Sequence, residues 1–332
     1  MTADTLYAPW PEGSRRTWGW AAIALVVVSY FVSALPIGIG VVVFTVQRTM
    51  AGAGPAEIEA ALAGSTMSFL IPLLLAQFVL WGGLAIAWAK LFEKRTLASL
   101  GLVLRGWSRR YGGGLLVGVG LVVVLTLGVG LVATGAPEAA DAGELELAGA
   151  DWSRLAETGI LLALVGVAAV FLIQGAAEEL VFRGWLMSTL VARWGRVAGV
   201  VASCLVFMLF HAHVFISGLA FGAVAMLGVG ATGVFFAVYA LWTRNIVGVA
   251  AVHGAFNASA VIGPVAGRLA AEPDRPLGDI VSEVFESATG MAGPEAVAVG
   301  PELFVQLVLF GALSGIMVWR LSRRRAAAAM HE

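Results

Sequence analysis

The chain has 332 residues, of which 60% are hydrophobic and only 12% charged, and its formal net charge is -1. A mean hydropathy of +0.92 excludes an ordinary soluble domain and places the chain in the polytopic membrane class. The near-neutral balance provides no basic face for nucleic acid, and the single cysteine, Cys204, excludes both a disulfide framework and a cysteine-rich metal site. Cys204 lies inside an apolar run and reads as a small packing residue.

In chain order, stretches apolar enough to cross about 30 Å of hydrocarbon at about 1.5 Å per residue fall at 18–46, 66–92, 112–134, 158–182, 197–215, 226–243, 246–263 and 302–320. The first is too long for the core of a cleavable signal peptide, so it reads as a retained span kinked at Pro36. The sixth is the least regular. Phe215 to Tyr239 is glycine-rich and reads either as a re-entrant piece followed by a span or as one long bent helix. Glycines inside the apolar runs, as in Gly114-x-x-x-Gly118 and Gly218-x-x-x-Gly222, indicate close helix packing. No internal repeat and no domain-separating linker is evident. The expected architecture is therefore all-α: one polytopic domain over 1–332, with about eight spans and tails at 1–17 and 321–332.

The basic residues support this count. With the N-terminus inside, the inner segments take Arg15 and Arg16, then Lys90, Lys94, Arg95, Arg105, Arg109 and Arg110, then Arg183, Arg193 and Arg196, then Arg244, and finally Arg320 and Arg323 to Arg325. Only Arg48, Arg154, Arg268 and Arg275 are left outside. A multi-pass cell-membrane protein with both termini in the cytoplasm is the expectation.

An ionisable side chain at the centre of a membrane helix costs on the order of 3 kcal/mol, so each one needs a partner or a task. The fourth span ends in Glu178, Glu179 and Arg183, the fifth carries His211 and His213, and the seventh carries His253 and Asn257. At about 100° per residue, Glu179 and Arg183 share a face at i,i+4 and neutralise one another, whereas Glu178 points away and needs a partner from another helix. Arg193-Trp194-Gly195-Arg196 forms the turn between spans four and five, nearly midway between Glu178 and His211, so an antiparallel hairpin brings those two to one depth. Phe207 shares a face with His211, and His253 shares one with Asn257. His213 lies about 200° round the helix from His211 and is left as a histidine near the helix end. A carboxylate and an imidazole meeting one water can activate it as a nucleophile, and His and Asn donors facing the same water can stabilise the resulting oxyanion. The set of Glu178, His211 and His253 also approaches a two-His, one-carboxylate zinc site, although the H-E-x-x-H spacing is missing; no cofactor is expected, and zinc stays open as an alternative.

Glu178-Glu179-x-x-x-Arg183, Phe207-x-x-x-His211 and His253-x-x-x-Asn257, in this order on membrane helices, resemble the three motifs of the type II CAAX prenyl endopeptidases and their bacterial relatives, the CPBP (Abi) intramembrane proteases. The likeness covers about residues 158–262, and Ser99-Leu-Gly-Leu102 is also similar to members of the family. The resemblance implies an intramembrane glutamate protease with its site among helices four, five and seven. Glu178 and His211 would activate water, His253 and Asn257 would hold the oxyanion, and Glu179, Arg183 and Phe207 would support them. The implied substrate is a membrane-associated peptide or protein; a prenyl group is not carried over. The competing class is non-catalytic, either a membrane scaffold or a proton-coupled carrier built on the same buried groups.

Overall fold

The computed structural model describes residues 6–65, 69–133, 150–289 and 301–329, and among them there are helices and turns but no strand. In hydrocarbon a backbone must satisfy its own polar groups, which a chain of this composition does with helices. In chain order these are α1 (Gly19–Met50), α2 (Pro55–Gly64), α3 (Ile71–Ala87, ending in a π turn at Trp88–Phe92), α4 (Trp107–Ala133), α5 (Thr158–Glu178), a π-helical stretch (Glu179–Leu186), α6 (Met187–Trp194), α7 (Arg196–Leu209), α8 (Leu219–Thr243), α9 (Val247–Ala271), α10 (Leu277–Thr289) and α11 (Pro301–Ala329).

Seven helices among the described residues are long and apolar enough to cross a membrane. The fifth expected span differs: α7 has 14 residues, so it rises about 21 Å, and the chain then turns through a 3-10 segment at Ala212–Ser217. The fourth is longer than its expected end at 182, because α5, the π stretch and α6 form one 37-residue rod from Thr158 to Trp194. The glycine-rich stretch resolves into a single helix, α8, opening at Gly218, whose φ of +104° few other residues tolerate. Two short helices, α2 and α10, lie in connections between the expected spans. The start of the second expected span, 66–68, lies outside the described residues.

α9 is the centre of the bundle: Val247 through Ala255 are all buried. It packs on α4 through Gly114 and Gly118, where an added Cβ would run into the backbone carbonyls of Gly248 and Val252, so the small-residue reading holds there.

The two ends of the bundle are tied differently. At the end nearest the N-terminus, residues 6–17 lie packed on the helices and are no free tail: Leu6 and Tyr7 are buried, Arg244 donates to Tyr7 O at 2.9 Å, and Arg193 donates to Thr17 O at 3.1 Å. Ile246 N donates to Gly101 O at 2.9 Å, which fixes the start of α9 against the Ser99–Leu102 loop. At the other end the amphipathic helix α10 buries Ile280, Val281 and Val284 against Val265 and Leu269 of α9 and Ile160 of α5. Arg154, Arg268 and Arg275 gather at that end, Arg154 on the Leu269 and Glu272 carbonyls and the other two on Glu283.

Candidate active site

The site begins with two glycines. A Cβ at Gly175 of α5 would stand 2.5 Å from Gly254 N, and one at Gly254 of α9 would stand 2.7 Å from Leu172 Cα. Each helix therefore offers bare backbone where the other crosses it, and the two rods approach more closely than side chains would allow. This contact sets Glu178, three residues past Gly175, beside His253, the residue before Gly254.

Glu178, Glu179, Arg183 and His253 are all buried. Arg183 Nη1 donates to Glu179 Oε1 at 2.9 Å, the ion pair expected from the i,i+4 spacing, and its Nη2 donates to Gly233 O of α8 at 2.8 Å. The guanidinium also lies over the Phe207 ring, 4.1 Å from its centroid. Glu179 opens the π-helical stretch, where i→i+5 hydrogen bonding inserts an extra residue into the turn, a feature frequent at functional sites. The stretch is held from outside: Tyr7 donates its hydroxyl to Arg183 O at 3.0 Å, and Ser203 of α7 donates to Phe182 O at 2.9 Å. Burial, followed by the charge of Glu179, pushes the Tyr7 phenol up, so the hydroxyl stays a donor.

His253 touches both glutamates. Its Nδ1 stands 2.9 Å from Glu179 Oε1 and its Nε2 stands 3.8 Å from Glu178 Oε2, while the ring stacks on Phe236 with centroids 4.5 Å apart. Glu179 therefore serves His253 as well as the Arg183 partner expected from the spacing, and the imidazole lies between the two carboxylates, hydrogen-bonded to Glu179 alone. Glu178 has a local partner too: Gln174 Nε2 donates to its Oε1 at 3.0 Å. The other oxygens, Glu178 Oε2 and Glu179 Oε2, are buried with no hydrogen-bond partner.

His211 lies just past the end of α7 rather than inside a span, as the residue that opens the 3-10 turn, half-buried, with Nδ1 at 2.9 Å from Phe207 O and its ring 4.7 Å from the Phe207 ring. Phe207 in turn meets the His253 ring edge-on with centroids 6.1 Å apart, so the end of α7 approaches the α5–α9 contact. With Nδ1–H given to a carbonyl, Nε2 carries the lone pair. Asn257 stands one turn beyond His253 on α9, half-buried, and among the described residues its carboxamide makes no hydrogen bond. His213 lies exposed in the 3-10 turn with its ring 6.0 Å from His211, outside the cluster. Among the described residues no three His, Cys, Asp or Glu side chains are grouped so as to hold a metal ion.

Three contributors were missed. Gln174 is the only polar side chain between Thr158 and Glu178, and its i,i+4 spacing was available to find it. Phe236 stacks on His253, and nothing local singles it out among the aromatics of α8. Tyr30 of α1, edge-on to Trp81 and Phe210, lies within electrostatic reach of Glu178.

Fold and site together define an all-α polytopic membrane protein with a buried carboxylate–imidazole cluster between its central helices. Residues 160–259, from the start of α5 to just past Asn257, match the family model described as type II CAAX prenyl endopeptidase Rce1-like. The match supports a CPBP-family protein and, at the level of the family, a CAAX-protease-type intramembrane endopeptidase. No curated protein and no solved structure matches the chain.

Proposed function

We propose that the chain is an intramembrane endopeptidase that hydrolyses a peptide bond of a membrane-associated peptide or protein, with water activated by Glu178 and His211. The observation that carries this reading is the Glu178 carboxylate. Its Oε2 is buried, makes no hydrogen bond and faces His253 Nε2 at 3.8 Å, a costly arrangement unless the oxygen has a proton to take. A water reaching Oε2 gives up a proton as its oxygen attacks the scissile carbonyl carbon, and His211 Nε2 is the second acceptor for that proton. The carbonyl oxygen becomes an oxyanion, for which the free Asn257 carboxamide and His253 Nε2 are the donors. Collapse breaks the C–N bond, and the proton held by the Glu178–His211 pair passes to the departing amine.

His253 is held for this role by Glu179 on its Nδ1 and by the Phe236 face. Glu179 and Arg183 hold the ring in place and do not touch the reacting atoms. The substrate reaches the site within a multi-pass membrane protein whose two termini lie in the cytoplasm, in keeping with the basic residues near the N-terminal end of the bundle.

The test is a comparison of membrane-protein termini in cells carrying wild type or Glu178→Gln at equal protein level. The expected outcome is at least one processed terminus that disappears with Glu178→Gln and with His211→Ala. An identical set of termini in wild type and both variants, with transport activity in proteoliposomes, would instead support a proton-coupled carrier.

A further inference from the structure

A carboxylate is symmetric, so if Glu178 acts as a base something must decide which of its oxygens does so. Among the described residues only one hydrogen bond reaches this side chain: Gln174, one turn earlier on α5, donates Nε2–H to Oε1 at 3.0 Å. The terminal torsion of a glutamate is broad and poorly fixed by its own sterics, so a donor on one oxygen is what holds the plane of the group. His253 cannot supply that hold. Its ring is fixed by Glu179 on Nδ1 and by the Phe236 face, and its Nε2 stays 3.8 Å from Oε2, beyond hydrogen-bond range.

We infer that Gln174 is the positioning residue for Glu178: it occupies Oε1 and orients the carboxylate so that Oε2 is the oxygen left to take the proton from water. This rests on the protease reading given above. The carboxamide is suited to the task because it is a neutral donor. A lysine or arginine at 174 would pair with Glu178 outright, and an apolar residue would let the group turn.

The test uses the full-length protein as wild type, Gln174→Leu, Gln174→Glu and Glu178→Gln. The first readout is the rate of appearance of Glu178-dependent termini in membranes, from mildly acidic to mildly alkaline pH. The second is the infrared carboxylate bands of the purified protein, with those of Glu178 identified by subtracting the Glu178→Gln spectrum. Removing one hydrogen bond to a charged group predicts that Gln174→Leu slows cleavage about tenfold or more and shifts the Glu178 bands. Gln174→Glu donates to Oε1 only while its new carboxyl is protonated, so its activity should approach wild type at acid pH and fall as pH rises, a limb that wild type lacks. A purely structural role would not produce that limb. If Glu178→Gln depletes termini while both Gln174 variants keep the wild-type rate and pH profile, this inference falls alone. If Glu178→Gln leaves every terminus in place, the protease reading falls and takes this inference with it.

Discussion

Glu93 and Arg95 near the N-terminal end of the bundle, and Glu178, Glu179, Arg183 and His253 in its middle, are two buried clusters of charge set against the same long helix from Thr158 to Trp194. In the first, all five N–H donors of Arg95 find acceptors: Nε on Ser99 Oγ, Nη1 on Glu93 and Thr189, and Nη2 on Ser99 O and Ser188 Oγ. Both Glu93 oxygens are used as well, Oε1 by Thr17 and Oε2 by Trp185 Nε1 at 2.9 Å. Burial lowers the Arg95 guanidinium to about 10, with Glu93 opposing the shift, and the side chain remains charged at neutral pH. In the second cluster two carboxylate oxygens are buried without a hydrogen bond. Leaving such a group unmade costs about 1–3 kcal/mol. The finished network ties Thr17 and the Ser99 loop to the rod, while the unfinished one leaves the acceptor that the proposed mechanism assigns to water.

Substitutions in the two clusters should therefore separate stability from activity. Glu178→Gln has the largest expected effect on chemistry, a loss of cleavage on the order of 100- to 10,000-fold, with an unfolding temperature no lower than wild type because a buried charge has been removed. Arg95→Met should show the opposite pattern. It strands Glu93 in the interior at a cost of about 3–5 kcal/mol, seen as lower yield and earlier thermal unfolding, while cleavage per folded molecule stays within a few-fold of wild type. Gly254→Ala should damage both, since the added methyl meets the backbone of Leu172. An overpacking cost of about 1–3 kcal/mol and a displaced His253 should appear together in unfolding and cleavage assays.

The smallest effect concerns the opposite end of the bundle. Hydrogen bonds from Arg275 and then Arg268 hold the Glu283 carboxyl below its usual 4.5. A carboxyl depressed in the folded state contributes stability above its unfolded value and loses it as pH falls through the folded one. The contribution of α10 should thus be intact at neutral pH and fade only below about 4.5. Because these pairs are solvent-exposed, the loss should be under about 1 kcal/mol, measurable as faster amide exchange in α10 relative to α9.

Much of this was legible in the sequence because hydrocarbon allows so few structures. Apolar run lengths located the long helices, although α7 falls short of the expected fifth span, and the i,i+4 spacing of Glu179 and Arg183 anticipated their ion pair. What stayed hidden depended on long-range geometry. A wheel drawn at a constant angle cannot foresee the π-helical stretch from Glu179 to Leu186. It also cannot show that the Gly175–Gly254 contact turns His253 toward both glutamates. The Glu93–Arg95 network was invisible for a related reason: its partners Thr17, Trp185, Ser188 and Thr189 lie far along the chain, and the basic residue was counted only for its position relative to the membrane.

The most direct test sets the two clusters against each other in one measurement: the rate of formation of processed membrane-protein termini per folded molecule, for Glu178→Gln and Glu93→Gln side by side. The account predicts loss of at least 100-fold for Glu178→Gln and a rate within a few-fold of wild type for Glu93→Gln. Equal rates in the two variants, or a loss confined to Glu93→Gln, would contradict it.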